Sequence, residues 1–533
     1  MEINLNIIKR DGSIVKFDKS KIEDAILKAM KYGSGIYEDK VAKKIADEIE
    51  VNCLENTKSP TVYKVENMVY DKLIEYKHEL TAKAYEGYRA VQSFKREVNT
   101  TDESIIGLLD RSNEEVINEN SNKNGVLAST QRDLISGEVS KDIARRKLLP
   151  AHIVQAHDEG VLHYHDMDYA MQPIHNCMLI NLEDMLQNGP VINNKLVEPP
   201  KSFTTACTIV TQIIGHIVSG QYGGNTITIR HIAPFLRVSY DKYFKKYKEK
   251  YSKEMAQELA EDRMLEDLKS GIQTMRYQLS TLNTSNGQSP FTTIYLEIEE
   301  GHEYEKEMAL ICKEVIKQRL EGMKNHKGQT IGEEFPKLVY LLDEHNCLEG
   351  GKYDYITKLA AKCNTKRLVP DYQSAKIMRK NYEGNTFPPM GCRSHLSPSK
   401  DENGNYKWYG RFNQGVISLN LVQVALTANK NMDKFWEILD ERLELCKEAL
   451  KVRHNLLLGT TSDVSPIHWQ HGGISRLKKG EKIDELLKNG YSTLSLGYVG
   501  IYEMTQAMLG VSHTTKEGEA FALKVMHHLN DVC

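Results

Sequence analysis

The chain has 533 residues, of which 40% are hydrophobic and 27% are charged. A chain of this length is too long for one hydrophobic core, so we expect a small domain attached to a large one. Lysine and arginine total 70 against 73 aspartate and glutamate, and a net charge of -3 provides no global field for holding DNA or RNA. The composition excludes a disordered or fibrous protein, and we expect no direct nucleic-acid binding.

No run of about 18 apolar residues occurs, and residues 1–10 lack the apolar stretch of a secretory signal. We therefore expect a cytoplasmic protein without membrane contact. The nine cysteines are scattered without a CxxC pair, so the sequence predicts neither a zinc site nor a disulfide framework. Most of these thiols are expected to be buried and unreactive.

The first hundred residues read as a separate, mostly helical domain. Two strand-like runs, residues 4–9 and 13–17, flank the turn dipeptide Asp11-Gly12 and predict a hairpin. Ser20 and Glu23 have the spacing of a capping box at the start of a helix. Further helices are predicted over residues 39–55, 61–77 and 82–97, and the domain is assigned to residues 1–98.

Residues 99–533 show helices alternating with short strand-like pieces, which is typical of a mixed α/β architecture. Strands are predicted near residues 226–229 and 291–296. The charged, proline-free stretch 241–276 predicts one or two long amphipathic helices.

Basic residues cluster around the predicted hairpin and the helix after it, where ammonium groups and a helix N-terminus both favour a triphosphate. They are Lys9, Arg10, Lys16 and Lys21. Judged by charge alone, such residues are more often a solvated face. The ordered pattern, with Ala82-Lys83-Ala84-Tyr85 further on, resembles the ATP-cone, a regulatory domain that senses ATP and dATP in many ribonucleotide reductases.

Two histidines separated by one residue, His163 and His165, would face the same side of an extended strand. They could bind a metal, hold a phosphate, position a substrate or be structural, and the pattern alone leaves these alternatives open.

A cysteine at position 392 follows two prolines and a glycine, which predicts a rigid, irregular loop. By itself such a cysteine is more often an ordinary thiol. Residues 410–421 then read as a turn that runs into a mostly apolar strand, and Asn413 on that strand is expected to face a site.

Together these motifs resemble the anaerobic, class III ribonucleoside-triphosphate reductases. The resemblance rests on motifs in order along the chain: Asn120-Ser121-Asn122-Lys123, Ser129-Thr130-Gln131-Arg132-Asp133, His175-Asn176-Cys177-Met178, Gln221-Tyr222-Gly223-Gly224, Ser285-Asn286-Gly287-Gln288, Met390-Gly391-Cys392-Arg393-Ser394 and Ser495-Leu496-Gly497-Tyr498. It implies a ten-stranded α/β barrel that makes deoxynucleotides for DNA synthesis.

The resemblance also implies roles for the catalytic residues. Cys392 would become a transient thiyl radical at the centre of the barrel and abstract the 3'-hydrogen of the ribose. Cys177, on the opposite side of the substrate, would donate hydrogen, and Met390 would contact the sulfur-centred intermediates. Asn413 implies formate as the reductant, because other members of the family have a carboxylate there and a thiol-based donor.

A further set of residues is expected to contact the substrate: His163, His165, Asn176, Ser394, Ser495 and Gly497. Helix N-termini and backbone amides around Ser495 to Gly497 are the candidates for holding the triphosphate. The implied partners are a radical S-adenosylmethionine activating protein with an iron–sulfur cluster and a second copy of the chain in a homodimer.

The family pattern ends with a glycyl-radical loop preceded by a four-cysteine zinc site, and neither motif occurs in these 533 residues. We therefore expect that this chain alone does not turn over. It would be a fragment, one part of a split enzyme, or a degenerate homologue that binds nucleotides without radical chemistry. A glycyl-radical enzyme acting on a small metabolite is disfavoured, since it would not need an ATP-cone.

Overall fold

The structure is a computed structural model that describes residues 5–8, 14–56, 60–118, 123–284, 287–392, 394–398, 400, 403–488 and 490–533. The chain divides into two compact units, residues 1–106 and 107–533. Among the described residues, no helix is long and apolar enough to cross a membrane.

The first unit contains a two-stranded hairpin and helices, as the sequence predicts. Its elements are β1 Asn6–Ile8, β2 Ile14–Lys16, α1 Ser20–Ala29, α2 Asp39–Asn56, α3 Val62–Glu75 and α4 Glu79–Leu109. The two strands pair antiparallel, and the predicted turn at Asp11-Gly12 lies outside the described residues. Ile26 of α1, Ile45 of α2 and Val69 of α3 are fully buried, because each helix turns its apolar stripe towards the others.

Two local predictions for this unit are wrong. The capping box is absent, since Lys19 occupies the N-cap and Ser20 is the first helical residue. The Asp18 carboxylate accepts from both the amide and the hydroxyl of Ser20, at 3.1 and 2.6 Å, which takes up the side chain that was expected to cap the helix. The last helix is also longer than predicted, because α4 continues through residues 98–102, where the domain was expected to end.

The second unit alternates helices and strands. Its helices are α5 Glu114–Asn118, α6 Ala128–Ile143, α7 Ala151–Asp158, α8 Leu182–Asn188, α9 Phe203–Val218, α10 Ala233–Tyr247, α11 Lys253–Thr281, α12 Glu305–Glu321, α13 Glu344–Cys347, α14 Asp354–Arg367, α15 Ala375–Asn381, α16 Leu421–Ala428, α17 Met432–Leu457, α18 Pro466–Trp469, α19 Ile501–Leu509 and α20 Lys516–Val532. Its strands are β3 Leu162–Tyr164, β4 Met178–Leu179, β5 Val191–Ile192, β6 Lys195–Leu196, β7 Asn225–Thr228, β8 Thr292–Leu296, β9 Met323–Lys324, β10 Thr330–Ile331, β11 Lys337–Leu342, β12 Asp371–Ser374, β13 Arg411–Asn420 and β14 Ser492–Val499.

One mixed sheet organises this unit, with the strand order β12-β11-β8-β7-β4-β13-β14 and β3 also paired to β13. Strands β4, β7, β8, β11 and β12 run parallel to one another. Strands β13 and β14 form a second parallel pair, and β13 is antiparallel to β3 and β4. The α/β class predicted from the sequence is confirmed, and the sheet consists of two parallel groups of opposite direction.

Helices cover the sheet and bury two separate apolar clusters. One lies under α9 to α12, where Ile213, Met275 and Ile294 are at most 2% exposed. The other lies between α16, α17 and β13 and includes Leu421 and Phe435. The predicted strands at β7 and β8 and the long helices α10 and α11 are confirmed, since helical spacing in α11 buries one stripe of an otherwise charged segment.

Candidate active site

Cys392 lies at the bend of the loop between α15 and β13, where paired glycines bring two backbones together. A Cβ on Gly391 would lie 3.0 Å from the Cα of Gly224, which directly precedes β7. A Cβ on Gly224 would likewise lie 3.1 Å from the Cα of Gly391. No side chain fits between the two backbone segments at this distance. Glycine at both positions therefore allows the cysteine loop to approach the sheet.

The two predicted catalytic cysteines are in contact. Cys177 directly precedes β4 and is 3% exposed, and its sulfur accepts a hydrogen bond from the Gly224 amide at 3.2 Å. The Cys177 thiol donates to Oδ1 of Asn176 at 3.1 Å. Its closeness to the Cys392 sulfur, together with hydrogen bonding from Ser394, lowers the pKa of Cys392 to about 5. The same contact and its own burial raise the pKa of Cys177. If one thiol of the pair loses its proton, Cys392 does so first. Cys392 is also the exposed member of the pair.

Asn413 joins this pair through its backbone. Its amide donates to the carbonyl of Cys177 at 2.8 Å, and its carbonyl accepts from the amide of Asn176 at 3.0 Å. Its side chain is fully buried, and Nδ2 donates to the Ser495 hydroxyl on β14 at 2.6 Å. Its Oδ1 has no hydrogen-bond partner within the described parts of the chain. A neutral amide with one unused acceptor thus lies beside the thiols.

Met390 lies on the same side as Cys177. It is 1% exposed and belongs to a small buried cluster with Cys177, Leu179 and Leu396. Its amide donates to the carbonyl of Ser394 at 2.8 Å, which closes the bend around Cys392. The thioether therefore packs in the same buried cluster as the Cys177 thiol.

The predicted histidines lie beside β13, with His163 on β3 and His165 directly after it. The rings of His163 and His165 are 4.4 Å apart, so the prediction that they face the same side is confirmed. His165 Nε2 lies 2.8 Å from the hydroxyl of Ser418, which is paired in register with Gly497. Ser495 and Gly497 face one side of β14, about 7 Å apart. Asn413, Ser495, Ser418 and His165 therefore form a continuous polar strip along β13 and β14. Burial lowers the pKa of His165 to about 4, and the ring is neutral at pH 7.

One expectation for the triphosphate is wrong. Ser495 and Gly497 lie inside β14, and the next helix, α19, begins only at Ile501. Residues 495–497 therefore offer no helix N-terminus. Glycine is needed at position 497 for a different reason, because a Cβ there would lie 2.5 Å from the hydroxyl oxygen of Ser418.

The predicted effector residues are only partly described. Lys16 at the end of β2 and Lys21 in the first turn of α1 are both exposed, and Lys9 and Arg10 lie outside the described residues. Lys19, between them in the sequence, binds Asp47 and Glu50 at 2.9 Å each.

A buried charge network was missed by the sequence reasoning. Lys123 donates to the carboxylate of Asp133 at 2.7 Å, and the hydroxyl of Tyr169 donates to the same oxygen at 3.0 Å. The ring of Tyr169 stacks on that of Tyr222 at 5.3 Å, and Tyr222 precedes the glycines beside Cys177. Two of the family motifs supply the lysine and the aspartate, but spacing alone did not show that they pair.

Comparison with known proteins settles the family. A family model described as anaerobic ribonucleoside-triphosphate reductase matches residues 119–533. The chain belongs to the anaerobic ribonucleoside-triphosphate reductase family. A second model, the ATP cone domain, matches residues 5–93, so both resemblances seen in the sequence are confirmed.

Reductases of the same name are similar over most of the chain. The protein of Salmonella typhimurium is 36% identical over 515 residues, which is 95% of this chain and 71% of the relative. That of Haemophilus influenzae is 35% identical over 99% of this chain and 74% of its own length. The bacteriophage T4 protein is 39% identical over 76% of this chain and 67% of its own length.

Solved structures support the fold. The anaerobic ribonucleotide reductase from Thermotoga maritima in complex with dATP and CTP superimposes with a TM-score of 0.53 at 16% identity, covering 81% of this chain and 73% of the other. The same enzyme with glycerol in the active site gives a TM-score of 0.56 at 15% identity, covering 82% and 72%.

Proposed function

We propose that this chain binds ribonucleoside triphosphates and reduces them to 2'-deoxyribonucleoside triphosphates by thiyl-radical chemistry, with formate as the reductant and with a glycyl radical that these 533 residues do not themselves carry. The observation that carries the proposal is the meeting of the Cys392 loop with the backbone beside Cys177, at Gly391 and Gly224, next to the buried amide of Asn413. A binding protein has no use for two neighbouring thiols held beside a buried asparagine.

In this reaction Cys392 acts first. A glycyl radical, as the family resemblance implies, would take the hydrogen atom from the protonated form of its thiol, and the exposed Cys392 is open to such an acceptor. The Cys392 sulfur then takes the 3'-hydrogen of the ribose, and the 2'-hydroxyl leaves as water after protonation. Cys177 donates hydrogen to the ribose and regains it from formate, and the 3'-hydrogen finally returns from Cys392.

The two electrons come from formate, which is oxidised to carbon dioxide, so one formate and one proton are consumed for each water released. The neutral side chain of Asn413 supports this assignment. A carboxylate at this buried position would repel the formate anion, whereas the neutral amide, whose Nδ2 donates to Ser495 and Thr493, does not. Asn176 and Ser394 would orient the ribose next to the thiols, and His163, His165, Ser495 and Gly497 would extend the site along the polar strip.

The remaining parts of the proposal concern architecture and regulation. The two oppositely directed groups of parallel strands support the ten-stranded barrel, with the cysteine loop inside it. We assign residues 1–98 to ATP and dATP sensing through Lys9, Arg10, Lys16 and Lys21, and residues 99–533 to catalysis. The partners would be the activating protein and a second copy of the chain in the cytoplasm.

The test uses the protein purified anaerobically from its own host. It is incubated with the activating protein, CTP and radiolabelled formate, and we expect dCTP and carbon dioxide in equal amounts. Cys177→Ser and Cys392→Ser should abolish both products, while Cys347→Ser, which changes an exposed cysteine outside the site, should not.

A binding measurement separates the alternatives. CTP should protect Cys392 from alkylation whether or not the protein turns over. Protection without any reduction would favour the nucleotide-binding interpretation over the enzyme. If CTP leaves the alkylation of Cys392 unchanged, the assignment of the site is wrong.

A further inference from the structure

The side-chain amide of Gln373 on β12 connects the sheet to the cysteine loop. Its Oε1 accepts from the hydroxyl of Tyr295 on β8 at 2.5 Å. Its Nε2 donates to the carbonyl of Phe387 at 3.2 Å and lies 2.6 Å from Nε2 of His395. Gln373 is 8% exposed and Tyr295 is fully buried, so both hydrogens and the oxygen of this amide are used inside the protein.

The chemistry of the amide fixes the state of the histidine. An amide nitrogen can only donate, so His395 Nε2 must accept and its ring must be neutral, with the hydrogen on Nδ1. Partial burial lowers the pKa of His395, which favours this neutral form. The contact is therefore a hydrogen bond from glutamine to histidine.

The two loop partners of this amide lie on opposite sides of the reactive cysteine in the sequence. Phe387 precedes Cys392 and His395 follows it, so a single side chain joins the incoming and outgoing limbs of the loop. We propose that Gln373 is a positioning residue that sets where the Cys392 sulfur lies relative to the Cys177 sulfur. The inference rests on the proposed function, because it assigns Gln373 a part in the same reaction.

Two neighbouring side chains each hold one limb near the cysteine, and the exposed carboxylate of Glu383 joins the limbs further away, at Lys400 and Tyr406. The hydroxyl of Thr226 donates to the carbonyl of Pro389 at 2.8 Å on the incoming limb. Arg411 donates to the carbonyl of Leu396 at 3.0 Å on the outgoing limb. Neither bond fixes one limb relative to the other, as the amide of Gln373 does.

The loop needs such a link because it lacks regular secondary structure around the cysteine. Between the end of α15 and the start of β13, the described residues form neither helix nor strand. Hydrogen transfer depends steeply on the separation of the reacting atoms, and a misplacement of about 1 Å can cost about 100-fold in rate. A buried amide that ties both limbs to the central sheet provides the required support.

The test replaces Gln373 by methionine, which has a similar unbranched shape but no hydrogen-bonding amide. The full chain is alkylated anaerobically across a pH series, and modification of Cys392 is followed by mass spectrometry of its peptide. For the natural chain the profile should have its midpoint near pH 5, because of the neighbouring Cys177 thiol and the hydrogen bonding from Ser394. In Gln373→Met we expect a midpoint more than one pH unit higher, towards the ordinary cysteine value of about 8.5.

The midpoint is the correct readout, since the alkylation rate at one pH is ambiguous. A thiolate of higher pKa is more nucleophilic, which offsets its smaller population. Gln318→Met on α12 is the matched control, because Gln318 is 4% exposed and donates to the carbonyl of Lys269 at 3.0 Å, away from the loop. It should lower thermal stability without moving the midpoint.

Two outcomes overturn the inference. If folded Gln373→Met keeps the midpoint of the natural chain, Gln373 does not position Cys392, whatever its effect on stability. If Gln373→Met does not fold, His395→Phe takes its place, since it removes the acceptor on the outgoing limb, and an unchanged midpoint there is equally decisive. A midpoint near 8.5 in the natural chain would instead contradict the closeness of the two thiols, whereas the proposed function is decided separately by formate-dependent formation of dCTP.

Discussion

Replacing Gly391 by alanine tests whether the approach of two backbones creates the thiol pair. The added Cβ would lie 3.0 Å from the Cα of Gly224 and 3.3 Å from its carbonyl carbon. Carbon atoms prefer a separation of about 3.5–4.0 Å, so the loop must withdraw by roughly 0.5–1 Å. Both contacts are backbone atoms, which cannot rotate away as a side chain could.

We expect two effects of different size. Overpacking of this kind costs about 1–3 kcal/mol of the free energy of unfolding, so the Tm should fall by a few degrees. The displacement of Cys392 should cost far more in function, about 100-fold in turnover for a shift near 1 Å. The pH midpoint of Cys392 alkylation should also rise as the sulfur leaves Cys177.

The assays are thermal unfolding by circular dichroism, anaerobic alkylation and formate-dependent dCTP formation. Gly87→Ala is the control, because no atom lies within 4 Å of a Cβ there and the residue is in helix α4. It should be neutral or stabilising by about 0.5–1 kcal/mol. The reasoning is refuted if Gly391→Ala retains both the alkylation midpoint and the turnover of the natural chain.

Three further predictions concern other parts of the site. Asn413→Asp places a carboxylate beside the formate position, so the KM for formate should rise at least tenfold, about 1.4 kcal/mol, and an unchanged KM would contradict formate binding there. Lys123→Met strands the carboxylate of Asp133, which keeps its bond from Tyr169, and denaturant unfolding should show a loss of about 1–3 kcal/mol, whereas no measurable loss would mean that the ion pair does not stabilise the fold. Because the pKa of folded His165 is about 4 against about 6.5 unfolded, its neutral form favours folding, and stability should fall as the pH drops from about 6.5 to 4. His165→Gln should lessen that fall, as measured by chemical unfolding at each pH.

Sequence reasoning found the elements whose signal is local. The strand-like runs at β7 and β8, the helical stripe of α11 and the turn before β13 each depend on residues that are neighbours in the chain. Local signals failed at helix boundaries, where several residues compete. The hydroxyl of Ser20, which was expected to cap α1, donates instead to the carboxylate of Asp18. Helix α4 continues through residues 98–102, a polar stretch whose composition is typical of a linker.

The chemistry of the site was predictable only in part. Cysteine, asparagine and methionine in ordered motifs predicted the candidate reactive residues, but nothing in the spacing placed Ser495 against Asn413 or Gln373 against the cysteine loop. Those contacts join strands far apart in the sequence, and a single sequence carries no record of which distant residues meet.

The sequence by itself determined which residue types are present for radical chemistry and which segments become helices and strands, because both depend on composition and short-range periodicity. The tertiary structure alone decided that Cys177 and Cys392 touch and that Asn413 keeps a free acceptor. Both results depend on the order of strands in one sheet and on two glycines, Gly224 and Gly391, that meet across it. Strand order is fixed by the packing of the whole unit, so no local pattern could have supplied it.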